Sequence, residues 1–146
     1  MPLLEDALKA LKSARREYEE YIKTRDPMKF RDACEKGWLS VVLATDYLIT
    51  CAGIDKPRGR GERNELLEAL EKHVDEIRKL GLPDRMWARS TRLHACEGWI
   101  SDESLKIELE KVEKYLKDME KVAEVISSRS EELKPILKKI QEKFRR

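Results

Sequence analysis

The sequence predicts an all-α fold, a bundle of five to six helices with a long central buried helix. Three observations predict it. Apolar residues recur at steps of three and four along most of the 146 residues, the period of one helix face. Helix punctuation falls between these runs, at Asp26-Pro27, Gly81-Leu82-Pro83 and Ser101-Asp102-Glu103. No Asn-Gly hairpin and no sustained period-two run offers a strand.

The first helix is expected from about Leu3 to Thr24, with Leu4, Leu8, Leu11, Ala14, Tyr18 and Ile22 as its apolar stripe. Asp26 supplies an N-cap and Pro27 a first-turn proline for the second, about Pro27 to Cys51. Phe30, Cys34, Trp38, Val41, Leu48 and Ala52 line one side of that helix, and Leu39, Val42, Leu43 and Ile49 line others. A helix apolar nearly all round belongs at the centre of a bundle. Asp46 is its exception: a carboxylate there faces a gap to solvent, pairs with an Arg or His from elsewhere, or contacts a ligand.

Residues 52–61 form the one Gly/Pro-rich stretch, with Gly53 as a natural helix C-cap. They match no phosphate-binding fingerprint. A solvated loop is expected, and Lys56, Arg58, Arg60 and Arg63 offer the alternative of a phosphate cradle. A third helix should run from about Glu62 to Leu80, with Leu66, Leu67, Leu70, Val74 and Ile77 inward. Gly81 ends it, and Pro83 opens a fourth, from about Asp84 to Trp99. Ser101 caps a fifth, whose seam is Leu105, Leu109, Val112, Leu116, Met119, Ala123 and Ile126. The phase continues through Leu133, Leu137, Ile140 and Phe144, with a break or kink expected at Pro135. Residues 130–146 are thus a candidate kinked or protruding helix within a single domain spanning 1–146. The basic tail complements a helix dipole or binds a partner.

Composition bounds function. Charged residues make up 41% of the chain, yet the net charge is +2, so nucleic-acid binding would need a local patch. One Asn and one Gln beside abundant Glu, Lys and Arg match a thermophile pattern. Cys34, Cys51 and Cys96 are far apart and without a C-x-x-C pair; small buried hydrophobes are expected, with no metal and no cofactor. Met1 to Asp6 lack a leader's basic and apolar regions, and Trp38 to Ala52 is too short and polar to span a bilayer. A cytoplasmic protein without a membrane partner is expected.

His73 sits among charges and reads as a surface residue. The functional groups concentrate from Arg85 to Trp99, around His94. Ser90, Thr91, Glu97 and Gly98 are its helical neighbours, and Glu97 is placed to hydrogen-bond an imidazolium. Arg89 lies about 140° round a straight helix from His94. A shared Arg/His site therefore needs bent geometry or a second copy across a two-fold axis. Trp87 and Trp99 fit either base stacking or an interface.

Arg89-Ser90-Thr91-Arg92-Leu93-His94 resembles the HEPN motif, in which Arg is followed by a polar residue and, a few residues on, by His. Arg31 to Trp38 and Leu93 to Glu103 resemble segments of archaeal PaREP-type proteins, themselves grouped with HEPN-like folds. The resemblance implies a homodimer and a metal-independent endoribonuclease of toxin–antitoxin or defence type. His94 would then be the acid/base, Arg89 the phosphate clamp and Ser90 their polar companion. Active members more often carry Asn, Asp or His where Ser90 stands. The alternatives are a non-catalytic module that binds RNA or a nucleotide, or partners a nucleotidyltransferase or antitoxin, and a scaffold oligomerising through the seam from Leu105 to Phe144. Arg92, Glu97, Trp99 and Asp46 are the ligand-contact candidates.

Overall fold

The computed structural model describes residues 2–94 and 100–146. Seven α-helices are present among them, with no strand: α1 (Pro2–Thr24), α2 (Pro27–Thr50), α3 (Arg60–His73), α4 (Asp75–Leu80), α5 (Leu82–Arg89), α6 (Asp102–Ser128) and α7 (Ser130–Phe144). A π-helical turn, Ser90–His94, extends α5.

The expected caps form. The Asp26 side chain accepts from the Met28 N–H at 3.0 Å, and Ser101 accepts from the Ser104 N–H at 3.2 Å. Gly81 ends α4 with φ 62° and ψ 38°, a left-handed conformation that costs glycine little. Arg25, at φ 59°, turns the chain between α1 and α2.

α2 is central. It packs against α1, α3, α5, the π-turn and α6, and Cys34, Val41, Ala44, Leu48 and Ile49 are fully buried. Leu39 is the outlier, 47% exposed. Small residues let α1 and α2 pack closely: Ala7, Ala10 and Ala14 of α1 and Ala33, Ser40 and Ala44 of α2 are buried. The backbones lie near enough for the Ser40 hydroxyl to donate to the Ala7 carbonyl at 2.7 Å. This close approach rotates α1 from its expected stripe. Leu8 and Ile22 are 50% and 40% exposed. Both edge open hollows between α1 and α6 instead.

Two helix boundaries differ from expectation, and the first of them makes seven helices among the described residues of the five to six expected. The third predicted helix is broken at Val74, whose φ −129° and ψ 108° are extended. Val74 and Ile77 stay fully buried across the break, so the apolar phase survives while the backbone steps. At the other end, the interruption falls at Arg129 rather than Pro135. Pro135 lies inside α7, and the carbonyl its missing N–H leaves free belongs to exposed Glu131, where water can satisfy it. α7 does not protrude: Leu133 and Leu137 enter the core.

The seam of α6 is spent inside the chain. Leu105, Leu109, Val112, Leu116, Met119, Ala123 and Ile126 of α6 and Leu133 and Leu137 of α7 are core residues, and of the expected seam only its end at Phe144 is exposed. No helix of the described residues is long and apolar enough to cross a membrane. Cys34 is buried and Cys51 half-buried, its thiol pushed up by burial; Cys96 lies outside the described residues.

The stretch from Ala52 to Gly61 is not a free loop. Ile54 and Pro57 are buried, and the C-terminal segment holds the rest. Gln141 Nε2 donates to the Asp55 carbonyl at 2.8 Å, and Arg145 Nη2 to the Lys56 carbonyl at 2.9 Å. Arg145 also reaches both carboxylate oxygens of buried Glu62, at 3.2 and 3.3 Å.

Candidate functional site

The motif segment leaves α5 through the π-turn. Bonding from i to i+5 widens the turn and brings positions five apart back over one another, so the straight-helix angle between Arg89 and His94 does not apply. Leu93 anchors the turn and is fully buried. A methyl built on Gly37 of α2 would lie 3.4 Å from Leu93 Cδ1 and 3.0 Å from Leu109 Cδ2. The absent side chain at Gly37 therefore seats Leu93 against α2. Single π-turns are rare and are frequent at functional sites.

Arg89 and His94 are nonetheless engaged by different helices. Arg89 turns toward α6, where Nε lies 2.5 Å from Glu108 Oε2 and Nη2 donates to Oε1 at 3.4 Å. Both residues are buried, Arg89 at 6% exposure and Glu108 at 1%. His94 turns toward α2. Its ring centroid is 5.9 Å from that of Trp38, and Nδ1 is 3.8 Å from Glu35 Oε2, an ion pair only when the ring carries its second proton. The imidazole is half exposed. Ser90 is buried, and its hydroxyl accepts from Arg60 Nη2 at 3.1 Å. Glu97 and Trp99 lie outside the described residues.

Glu108 organises a cationic face. Besides Arg89 it has Arg92 Nη1 at 3.4 Å and Lys111 Nζ at 3.7 Å. One carboxylate shared among three cations leaves the local surface positive, and Arg92 and Lys111 are half exposed. Nearly three turns further along α6, buried Asp118 receives Arg85 at 2.9 Å and Lys114 at 3.1 Å. Burial would raise the Asp118 carboxyl, but these two cations outweigh it and hold it below the ordinary range. Arg85 also lies over the Tyr115 ring, 5.5 Å from its centroid. A hollow of about 570 Å³ runs between α5 and α6 here, lined by five basic side chains against two acidic ones. The hollow is a locally positive patch on a chain whose net charge is only +2.

Asp46 lies elsewhere, buried on α2. It accepts from Arg63 Nε at 2.7 Å and Nη2 at 3.2 Å. Of the alternatives its position allowed, pairing with an arginine is the one observed. Burial pushes its carboxyl above the ordinary range, with Arg63 only partly offsetting it. His73 is exposed.

Sequence reasoning named Arg89, Ser90, Arg92 and His94 but missed Glu108, Glu35, Trp38 and Lys111. Glu108 carried a signal: it follows Leu105 by one turn and adjoins Leu109, so the seam draws it inward. A carboxylate there needs a partner, as Asp46 did. Among the described residues, no group of three or more His, Cys, Asp or Glu is arranged to hold a metal ion.

Compared with family models, curated proteins and solved structures, the chain finds no match in any of the three.

Proposed function

We propose that the chain is a HEPN-like helical module that holds RNA or a nucleotide by its phosphates on the face of the π-turn and α6, without cleaving it. The observation that carries this reading is the buried pair of Arg89 and Glu108. A guanidinium closed off by a carboxylate is not a free phosphate clamp. The cations left facing water, Arg92, Lys111 and Lys114, suit a solvated phosphate backbone. A homodimer and a nucleotidyltransferase or antitoxin partner belong to the same reading.

The test is binding of labelled single-stranded RNA against salt. Each phosphate contact adds about 0.7 to the slope of log affinity against log salt. Arg92→Ala with Lys111→Ala should weaken binding and flatten that slope by about 1.4. An unchanged slope and affinity would sink the proposal, and so would wild-type binding of no RNA or nucleotide.

A second reading is the metal-independent ribonuclease, assembled across a two-fold axis from two copies. One observation favours it: His94 stands half exposed on a π-turn, beside the equally exposed Glu35 carboxylate. RNA cleavage by the pure protein in the presence of chelator, lost in His94→Ala, would establish it in place of the first.

A further inference from the structure

Trp87 is 59% exposed, the largest exposure among the big apolar side chains of the described residues. The Arg60 guanidinium stands 5.6 Å from its ring centroid and also bonds Ser90 of the π-turn. Beside the same indole, between α3 and α5, is a hollow of about 310 Å³. That volume sits at the small end of ligand clefts, about 300–1,000 Å³. Arg60 is not part of its wall. Pro83, Met86 and Trp87 give it an apolar side, and Asn64, Glu68 and Asp84 give it a polar rim. Among the described residues, those three polar side chains make no hydrogen bond or ion pair. Glu68 and Asp84 are exposed and Asn64 is half-buried, so their polar atoms face the same opening as the indole.

We propose that this hollow receives one unpaired nucleobase bearing an exocyclic amino group, stacked on Trp87, with its backbone phosphate toward Arg60. The inference rests on the RNA or nucleotide reading above and adds which part of the ligand is read. An indole stacks on any base, so Trp87 alone supplies affinity without preference. The rim supplies the preference. Glu68 and Asp84 offer only acceptors, which match the amino groups of cytosine, adenine or guanine, whereas uracil offers them one donor, N3–H, beside an opposed O4 carbonyl. The carboxylates also repel phosphate, which leaves Arg60, on the π-turn side of the indole, as the anion contact. A duplex presents no free base to the indole, so the pocket selects single strands. A protein partner fits less well: a predominantly apolar anchor would leave three polar groups desolvated and unpaired.

The experiment is anisotropy of labelled hexanucleotides of cytidine, adenosine and uridine, and of a duplex RNA. Trp87→Ala should lose about fivefold or more for the cytidine and adenosine strands, the low end of the stacking contribution, and leave the duplex unchanged. Trp87 is solvent-facing, so the variant keeps the fold, which circular dichroism verifies. Glu68→Gln, whose amide can donate to a carbonyl, should narrow the preference over the uridine strand. If Trp87→Ala binds every strand as wild type does while Arg92→Ala with Lys111→Ala binds more weakly, the pocket is wrong and the phosphate reading stands. If wild type binds no RNA, cytidine monophosphate is titrated against the Trp87 indole N–H resonance. A saturable shift that leaves the Trp38 indole N–H in place upholds the pocket without the RNA surface, and no shift at millimolar nucleotide overturns both.

Discussion

Arg89 and Glu108 are nineteen residues apart in sequence and form an ion pair closed to water, with Arg89 Nε 2.5 Å from Glu108 Oε2. That contact lacks hydrogen-bond alignment, and the aligned bond is the longer one, Nη2 to Oε1 at 3.4 Å. The pair is held by Coulomb attraction in a dry setting. Removing one partner strands a buried charge, which typically costs about 3–5 kcal/mol. Arg89→Ala leaves Glu108 with Arg92 and Lys111 at 3.4 and 3.7 Å, so the loss in urea denaturation should fall short of that, at about 1–3 kcal/mol. Arg92→Ala, half exposed on the same carboxylate, should stay within about 0.5 kcal/mol. Loss of function in an Arg89 variant would then report unfolding before it reported chemistry, and Arg92 and His94 are the informative positions. Equal stability of the two variants would contradict the buried pair.

Thr45 and Tyr115 give an asymmetric prediction. Their hydroxyls are 2.6 Å apart and fully buried, and Thr45 Oγ1 also lies 2.8 Å from the Val41 carbonyl. A hydroxyl has one proton to give. Thr45 gives its proton to Val41, so Tyr115 must donate to Thr45. Tyr115→Phe then leaves an already bonded hydroxyl, at a cost of about 0.5–1.5 kcal/mol. Thr45→Val strands the phenol donor in the core, at about 1–3 kcal/mol. Chemical denaturation of both variants checks the order, and the reverse order would reverse the assigned donor.

How much of this was legible in one sequence depends on whether the signal was local. The ends of α1 and α2 were legible, because Asp26 and Pro27 act on their own backbone. Ser101 was legible for the same reason. The break at Val74 was not: Leu70, Val74 and Ile77 keep helical phase across it, and periodicity sees side chains rather than φ and ψ. The α6–α7 boundary falls in the Ser127-Ser128-Arg129-Ser130 cluster, whose side chains bond locally, while Pro135, a stronger breaker by its missing donor, sits inside α7. In the site, the density of chemistry around His94 was visible. The partners that decide its meaning were not, because Glu108 and Glu35 come from helices whose docking no single sequence specifies.

The hold of α7 on the loop before α3 predicts a local effect rather than global unfolding. Arg145 bridges Glu62, Asp55 and the Lys56 carbonyl. Glu62, 3% exposed, keeps one further bond, from the Arg58 N–H at 2.7 Å. Arg145→Ala should free residues 55–58 while the α2 core stays protected. Hydrogen exchange should read this as roughly tenfold or faster exchange confined to that loop. Uniform acceleration across α2 would show instead that the tail supports the whole fold.

Two buried aspartates predict opposite pH limbs. Burial raises the Asp46 carboxyl, so between the ordinary aspartate value near ~3.9 and its own higher one the native state keeps a proton that the unfolded chain has released. Stability from this group falls as pH rises through that window. Asp118 behaves in reverse. Burial opposes ionisation, but Lys114 and Arg85 prevail, and the native state gives up a proton the unfolded chain still holds. Its contribution is present above the ordinary value and is lost as pH falls through the lowered one. The Asp46→Asn variant should therefore lack the decline on the alkaline side of ~3.9, and Asp118→Asn the acid-side loss. Urea midpoints from pH 3 to 7 separate the two, because the variants alter slopes of opposite sign. Parallel profiles in wild type and Asp46→Asn would mean that Arg63 rather than burial governs Asp46.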